Sequence, residues 1–320
     1  MPDLPKRTLG RTGLEVTALG YGTMELRGGP RGRQISEEEA GRILNAVLDA
    51  GINFIDTSID YGFAEERIGR HISHRRDEFY LASKCGCLAG WTEAQERPAG
   101  ARGGGPHVFT RENVIAGVEQ SLRRMNTDHL DLVQVHASPS KQELEEGGVV
   151  EAMQDLKQQG KVRFIGMSGT IPNLRDHIAM GVFDEFQIPY SCLQRGHEDA
   201  ILEAAAAGAG VVIRGGAARG APSDDARNRA LDDGHANARG ADAMGIWEKA
   251  DLDGLLGGMS RMEFVVRFTA THPAAGTNIV GTLNPGHLAQ NIEAVSHGPL
   301  PPELYDRAKH RLKGAGSEPE

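Results

Sequence analysis

The sequence is poor in the residues that mark several classes of protein. Its 320 residues include only three cysteines, too few for the disulfide framework of a small secreted fold. No apolar run approaches the ~18 residues that a membrane-spanning helix needs. Acidic residues outnumber basic ones, so the formal net charge of -9 gives no electrostatic reason to expect nucleic acid or an anionic membrane as a partner. The polar start, residues 1–7, adds to the expectation of a reducing, cytoplasmic location.

The sequence also lacks the glycine fingerprint of an open nucleotide-binding sheet. In such a sheet G-x-G-x-x-G should connect the first strand to its helix. Here the first predicted strand leads into Gly20-Tyr21-Gly22-Thr23-Met24-Glu25, and the run Gly103-Gly104-Gly105 lies far from any strand-to-helix junction. A doubly wound sheet is therefore disfavoured.

Short apolar runs instead alternate with amphipathic segments along the whole chain. One such segment carries Ala40, Ile43, Leu44, Val47 and Leu48 at helical spacing. Eight runs followed by helices predict parallel strands that close into a single-domain (β/α)8 barrel over residues 1–320. The predicted strands are Val16–Gly20, Ile52–Asp56, Phe79–Lys84, Leu130–His136, Val162–Ser168, Glu185–Pro189, Gly210–Arg214 and Thr277–Gly281.

Three segments stand outside this alternation. Residues 7–18 predict a small β-hairpin, with Thr12-Gly13 in its turn, that covers the bottom of the barrel. Long loops are expected at Cys85–Val108 and Gly215–Ser260, after the third and seventh strands, on the face where barrel active sites lie. The tail, Gly314–Glu320, is expected to be flexible.

Four proton-handling side chains lie at or just beyond the ends of the second, third and fourth predicted strands: Asp56, Tyr61, Lys84 and His136. Adjacent strands lie about 4.8 Å apart, so these side chains should meet on one rim. A cationic Lys84 would favour ionisation of Tyr61, whose ordinary pKa is about 10, and so ease proton donation to a carbonyl oxygen. Asp56 would keep Lys84 charged, and His136 would polarise the carbonyl or relay a proton. The protein has no hydride of its own, so this chemistry implies a nicotinamide.

Other interpretations of these residues stay open. Asp56 and Lys84 could form a purely structural ion pair, or Lys84 could form a Schiff base in a lyase. A non-catalytic nucleotide-binding regulatory subunit is a third alternative. Cys85, Cys87, His107 and His136 suggest a metal site, but Cys-x-Cys is not the usual zinc spacing, and no metal is expected.

Motifs typical of one known family occur in several stretches of the chain: 7–14, Asn53–Thr57, Tyr61-Gly62 with Glu65 and Gly69, Ala82–Lys84, Asp131–His136 and Gly160–Ser168. Through these stretches the sequence resembles the aldo-keto reductases over nearly its whole length. That resemblance implies a catalytic tetrad of Asp56, Tyr61, Lys84 and His136, with Tyr61 as the acid, and reduction of an aldehyde or ketone with NADP(H), or with NAD(H) as the alternative cofactor. Oligomeric state is not indicated.

The expected cofactor site combines a barrel rule with the resemblance. Barrels often bind phosphate through the loops after strands seven and eight. Asn284 is a candidate N-cap with Pro285 at the first helical position, which would direct helix amides at an anion. The resemblance places Ser168 and Gln187 at the carboxamide and Gln290 and Asn291 near the adenine. The residues expected to contact the cofactor are Gly22, Thr23, Met24, Asp56, Ser168, Gln187, Arg214, Gly215, Gly281, Thr282, Asn284, His287, Gln290 and Asn291.

The sequence departs from the family pattern at three positions. Arg214 occupies a position that is usually aromatic, and Gly169 one that is commonly asparagine. No Lys or Arg lies between Gly281 and Asn291, where the family often binds the 2′-phosphate of NADPH. His287, whose side chain is only partly charged at neutral pH, stands at one such position.

Overall fold

Eight parallel strands form a closed barrel, which confirms the predicted fold class. The computed structural model describes residues 4–29, 32–91, 105–217 and 238–320, and of residues 238–243 only the backbone. Strands β3 to β10 close in the order β10-β3-β4-β5-β6-β7-β8-β9. The strands are β1 (Lys6–Thr8), β2 (Glu15–Thr17), β3 (Leu19–Gly22), β4 (Phe54–Asp56), β5 (Tyr80–Cys85), β6 (Leu130–Val135), β7 (Val162–Ser168), β8 (Glu185–Pro189), β9 (Gly210–Arg214) and β10 (Thr277–Val280).

Helices surround the barrel and bury their apolar faces against it. In the helix Glu37–Asp49 all five residues of the predicted apolar stripe are buried, and Ser36 and Glu39 form a reciprocal capping box at its start. No helix in the described part of the chain is long and apolar enough to cross a membrane. The α-helices are Glu37–Asp49, Ala64–His71, Arg111–Met125, Lys141–Glu146, Val149–Gln158, Leu174–Met180, Glu198–Ala206, Ala238–Lys249, Arg261–Thr271, Pro285–Ser296 and Pro302–Gly314.

The N-terminal hairpin covers the end of the barrel where the strands begin. Strands β1 and β2 pair antiparallel, and Leu9, Leu14 and Val16 are buried together with Phe54, Ala82, Leu132 and Val212. Gly10 packs so closely on the chain before β9 that a Cβ there would lie 2.2 Å from the amide nitrogen of Gly210. This apolar cluster closes the lower end of the barrel.

The predicted start of the first barrel strand was wrong. Val16 belongs to hairpin strand β2, and the barrel strand begins only at Leu19. The apolar run continues from one strand into the next, so the pattern alone does not show the break. A hydrogen bond from the Thr17 amide to Asn53 Oδ1 (2.7 Å) helps to hold the chain where it changes direction.

The long segment after β9 contains helical structure that was not predicted. Its residues 218–237 lie outside the described part of the chain, as do residues 92–104 of the segment after β5. The helix Ala238–Lys249 follows, and Trp247 is fully buried against Phe264, with Nε1 donating to Asp253 Oδ1 at 3.1 Å. Trp247 is thus a packing residue.

The C-terminal tail, for which the sequence predicts flexibility, makes specific contacts with the barrel. Ser317 is buried, and its hydroxyl donates to the Cys192 carbonyl at 3.0 Å. Arg195 donates to the Ser317 carbonyl at 3.0 Å, and the Glu320 amide donates to the Gly196 carbonyl at 3.2 Å. The tail therefore packs beside the loop that follows β8.

Candidate active site

A buried ion pair lies at the rim where β4 and β5 end. Asp56 is the last residue of β4, and Lys84 is the penultimate residue of β5. Lys84 Nζ donates to Asp56 Oδ1 and Oδ2 at 2.8 and 2.7 Å and to the Thr57 carbonyl at 2.8 Å. Burial alone lowers the pKa of Lys84, but the adjacent Asp56 carboxylate reverses this, and the net pKa shift is upward. Lys84 is thus held as a charged ammonium.

Gln187 joins this ion pair from the opposite side of the barrel. Gln187 lies in β8, and its Nε2 donates to Asp56 Oδ1 at 2.7 Å. Ser168, at the end of β7, places its hydroxyl 3.4 Å from Gln187 Oε1. The family resemblance assigned Gln187 to the cofactor carboxamide, and its contact with Asp56 was not predicted. The alternation pattern places Gln187 on a strand but cannot show which residue lies across the barrel.

Tyr61 lies over Lys84 in the loop between β4 and the helix Ala64–His71. Lys84 Nζ is 5.2 Å from the centre of the Tyr61 ring. Burial raises the pKa of Tyr61 to about 12, although the Lys84 charge acts in the opposite direction. The following Gly62, with φ of 46°, lets the loop approach the Arg27 carbonyl, which would lie 2.4 Å from a Cβ at this position. This close packing fixes where the Tyr61 loop can lie.

His136 follows β6 and completes the four residues singled out in the sequence. Its ring faces the Tyr61 ring edge-on, with centroids 6.2 Å apart. Burial lowers the pKa of His136 to about 3, so the imidazole is neutral at physiological pH. The structure therefore brings Asp56, Tyr61, Lys84 and His136 to one rim.

A second cluster of titratable side chains adjoins His136. His136 Nδ1 lies 3.1 Å from Cys87 Sγ and 3.7 Å from Asp60 Oδ1, and the His107 ring stands edge-on to His136 at 5.2 Å. The sequence groups Cys87, His107 and His136 with Cys85 and gives no indication that Asp60 is their neighbour. Cys85 belongs instead to the main apolar core.

The segment after β10 adopts the predicted helix start. Asn284 is the N-cap of the helix Pro285–Ser296, and its Oδ1 accepts a hydrogen bond from the Gly286 amide at 2.8 Å. The Thr282 carbonyl accepts from the Tyr21 hydroxyl at 2.7 Å, which ties this segment to β3. On the helix, Gln290 is exposed, whereas His287 and Asn291 are partly buried.

Glycines lie at or just after the ends of β3, β9 and β10 on the same rim: Gly22, Gly215 and Gly281. Gly281 lies so close to the end of β3 that a Cβ would come within 3.0 Å of the Gly22 carbonyl oxygen. Thr23 is buried and Met24 is exposed in the short 3-10 helix that follows. Gly215, with φ of 72°, follows Arg214 at the end of β9.

Arg214 adds a positive charge to the catalytic rim. Burial raises the pKa of Tyr61 and lowers that of His136. The Arg214 charge acts downward on both pKa values, so it opposes burial at Tyr61 and adds to it at His136. An arginine in this position therefore acts electrostatically on both residues, which an aromatic side chain would not do.

Comparison with known proteins identifies the family. The model of the aldo/keto reductase family matches residues 18–311. The chain belongs to the aldo/keto reductase family. An uncharacterized oxidoreductase of Bacillus subtilis (strain 168), YqkF, is 27% identical over 306 residues, 91% of each chain. The 6-dehydroglucose reductase of Novosphingobium aromaticivorans is 26% identical over 319 residues, covering 92% of this chain and 93% of the other.

Solved structures agree with this assignment. The holo form of the aldo-keto reductase AKR11C1 from Bacillus halodurans superimposes with a TM-score of 0.79 at 28% identity, covering 97% of this chain and 96% of the other. Membership in the aldo/keto reductase family makes the protein an oxidoreductase, and enzymes of this family generally bind nicotinamide cofactors.

Proposed function

We propose that this aldo/keto reductase reduces an aldehyde or ketone to an alcohol with NADP(H), using Tyr61 as the general acid. The observation that carries the proposal is the buried Lys84–Asp56 pair with the Tyr61 ring 5.2 Å from Lys84 Nζ. A phenol, a fixed cation and a neutral imidazole then surround one point on the rim. Such a point suits an oxygen that gains negative charge in the transition state.

The residues on the rim fit a nicotinamide cofactor. Ser168 and Gln187 offer a hydroxyl and an amide oxygen side by side, which matches the donor and acceptor groups of a carboxamide. Gly281 and Gly215 leave backbone exposed where a Cβ would otherwise stand. The helix Pro285–Ser296 points its N-terminus at this rim, where an anion is favoured.

The proposed roles follow from charge and protonation. The bound cofactor supplies a hydride to the carbonyl carbon. Tyr61 is protonated at neutral pH, as its raised pKa requires, and donates its proton to the carbonyl oxygen. Lys84 offsets part of the cost of the tyrosinate left behind, and Asp56 keeps Lys84 charged and oriented. Neutral His136 donates a hydrogen bond that orients the carbonyl.

The choice between NADPH and NADH rests on the helix Pro285–Ser296. His287 and Asn291 are partly buried there, and the described segment from Gly281 to Asn291 contains no Lys or Arg. We propose that His287 contacts the 2′-phosphate, which makes NADPH the preferred cofactor by a modest margin.

The same geometry argues against a lyase. A Schiff base needs a neutral lysine amine, whereas Lys84 donates hydrogen bonds to both oxygens of Asp56 and to the Thr57 carbonyl. Borohydride trapping with candidate carbonyl substrates should leave Lys84 unmodified. A covalent adduct at Lys84 would overturn the reductase proposal.

The first test is a titration of the purified protein with NADPH and with NADH, followed by nicotinamide fluorescence. We expect saturable binding of both, tighter for NADPH, and consumption of the bound cofactor when a substrate aldehyde or ketone is added. If neither cofactor binds, the proposal fails, and the regulatory and lyase alternatives regain weight.

A further inference from the structure

We propose that Asp60, Cys87, His107 and His136 form a binding site for one divalent transition-metal ion of the zinc class. Each residue offers one ligand atom, and the four atoms all lie within 4.8 Å of one another. Bonds of about 2.0–2.3 Å to zinc place the ligand atoms of a tetrahedral site roughly 3–4 Å apart. The distances from His136 Nδ1 to Cys87 Sγ and Asp60 Oδ1, 3.1 and 3.7 Å, lie in that range.

The ligands come from three neighbouring loops and are fixed by backbone contacts. Asp60 follows β4, Cys87 and His107 lie in the segment after β5, and His136 follows β6. Cys87 and His107 form an isolated antiparallel bridge. Asn113 Nδ2 donates to the Cys87 and Val108 carbonyls at 3.0 and 2.8 Å, so both sides of this bridge are held. The cluster is therefore formed before any ion arrives.

Spacing along the chain does not reveal this site. Cys87 and His107 are about twenty residues apart in the sequence, and Asp60 and His136 belong to different βα units. Cys85, which completes the Cys-x-Cys motif, is buried in the main core and is not part of the cluster. The sequence motif thus points to the wrong pair of cysteines, and only the barrel brings the four ligands together.

Charge balance favours a divalent ion here. Asp60 and Cys87 are 6% and 1% exposed. A carboxylate, a thiolate and two neutral imidazoles carry a total charge of -2, so a divalent ion leaves a neutral, buried unit. Lys84, whose charge acts on Cys87 and His136, is already paired with Asp56.

Outer contacts resemble those that support metal ligands. Ser58 Oγ donates to Asp60 Oδ1 at 2.6 Å and lies 3.8 Å from Cys87 Sγ. The His107 ring stacks on Phe109, which fixes its plane. His107 Nε2 is buried without a hydrogen-bond partner in the described part of the chain, and coordination through this atom would give it one. Such partners orient ligands and raise affinity.

The competing account needs no metal. In it the Cys87 thiol donates a hydrogen bond to His136 Nδ1 across their 3.1 Å separation. When the metal binds, the bond from Cys87 Sγ to the ion replaces the S–H bond, the proton leaves to solvent, and nothing is oxidised or reduced. With or without the metal, His136 Nδ1 is occupied by the ion or by the Cys87 thiol, so the proton of the neutral ring lies on Nε2. Under the reductase proposal, Nε2–H is then the group that donates a hydrogen bond to the substrate carbonyl. Only this last consequence rests on the reductase proposal.

Cobalt(II) is the probe because its spectrum reports both thiolate ligation and geometry. The full-length protein would be treated with a chelator, fully reduced, freed of added thiol and titrated with Co²⁺ in the absence of cofactor and substrate. We expect one ion per chain, a thiolate-to-cobalt charge-transfer band, the visible d–d bands of a tetrahedral ion, and displacement by Zn²⁺. A spectrum of octahedral cobalt without the charge-transfer band would overturn the proposal.

Matched variants assign the ligands. Cys87→Ser should abolish the charge-transfer band, and His107→Gln should weaken Co²⁺ binding by at least about tenfold. Cys85→Ser replaces a buried thiol and His129→Gln a partly exposed histidine, both outside the cluster. These two variants should keep the charge-transfer band and the Co²⁺ affinity of the parent protein. A band that survives in Cys87→Ser, or is lost only in Cys85→Ser, would contradict the site. Because no turnover is measured, failure here leaves the reductase proposal intact, and the reverse also holds.

Discussion

Gln187 and Asp56 are joined across the mouth of the barrel by a hydrogen bond of 2.7 Å from Nε2 to Oδ1. Their strands, β8 and β4, stand opposite each other in the closed order of eight. Asp56 therefore receives donors from both sides, Lys84 from the neighbouring strand and Gln187 from the far one.

Replacing Gln187 by leucine should destabilise the protein by about 1.5–3 kcal/mol, because a hydrogen bond to a charged group is lost. Gln134 is a matched control: it is buried in β6, and its amide atoms have no hydrogen-bond partner in the described part of the chain. Gln134→Leu should therefore cost less or even stabilise. Urea unfolding measures both. Equal costs, or a larger cost at Gln134, would refute the importance of the Gln187–Asp56 contact.

Lys84→Met should lower the free energy of unfolding by about 3–5 kcal/mol, because Asp56 is left as a buried charge without its cation. Adding Asp56→Asn to this variant should restore most of that loss without restoring carbonyl reduction. Thermal unfolding and a turnover assay separate the two effects. If the double variant is no more stable than Lys84→Met, the buried charge is not the cause.

Tyr61→Phe should reduce carbonyl turnover by about 10²–10⁴-fold, because the general acid is removed. Cofactor affinity, measured by fluorescence titration, should change little. Tyr80→Phe is the control, since Tyr80 begins β5 while Lys84 lies near the other end of the same strand. Turnover that persists in Tyr61→Phe would assign the acid to another group.

His287→Ala should weaken the binding of NADPH more than that of NADH, because only NADPH carries the 2′-phosphate. His129→Ala, at a partly exposed site just before β6, serves as the control and should affect neither cofactor. Titrations of the parent protein and of both variants with each cofactor give six affinities to compare. Equal losses for the two cofactors in His287→Ala would remove His287 from the phosphate site.

Lowering the pH should reduce the free energy of unfolding, because the buried His272 takes up a proton less readily than in the unfolded chain. Burial lowers the pKa of His272 to about 4, while the Glu198 carboxylate opposes that shift and Lys309, Arg195 and Arg7 add to it. The unfolded chain takes up this proton near pH 6.5 and the folded chain only near pH 4. Stability is therefore fully present above pH 6.5 and is lost between these values, by up to roughly 3 kcal/mol.

His272→Gln tests this pH dependence. His272 Nδ1 accepts a hydrogen bond from the Ala274 amide at 3.2 Å, a role that the glutamine oxygen can take over. The free energy of unfolding of the variant should depend less steeply on pH between 6.5 and 4. His310→Gln, at an exposed position of the helix Pro302–Gly314, is the control. The same slope in all three proteins would assign the acid sensitivity to other groups.

The barrel could be predicted from the sequence because its signals are local. Strands buried on both faces read as short apolar runs, and a helix such as Glu37–Asp49 shows its apolar stripe directly. The boundary at Leu19 could not be predicted, because hairpin and barrel strands share one continuous apolar run. The helix Ala238–Lys249 was missed because it lies in a glycine- and alanine-rich stretch without a clear stripe.

The candidate site was predictable to the extent that each residue ends a strand. Asp56, Lys84 and His136 are the last residues of three predicted strands, and a parallel barrel brings the ends of its strands to one rim. The contact from Gln187 to Asp56 and the cluster around Cys87 depend on closure of the barrel and on the path of loops. Asp60 carries no local signal of its partners, so its contact with this cluster could not be predicted from the sequence.

The hairpin beneath the barrel divides the fold into two ends with different tasks. Leu9, Leu14 and Val16 pack with residues of the strands above them and close the end where the strands begin. Asp56, Lys84 and His136 lie at the other end, where the strands stop. Substitutions in this floor should therefore change the stability of the barrel without altering any side chain of the candidate site.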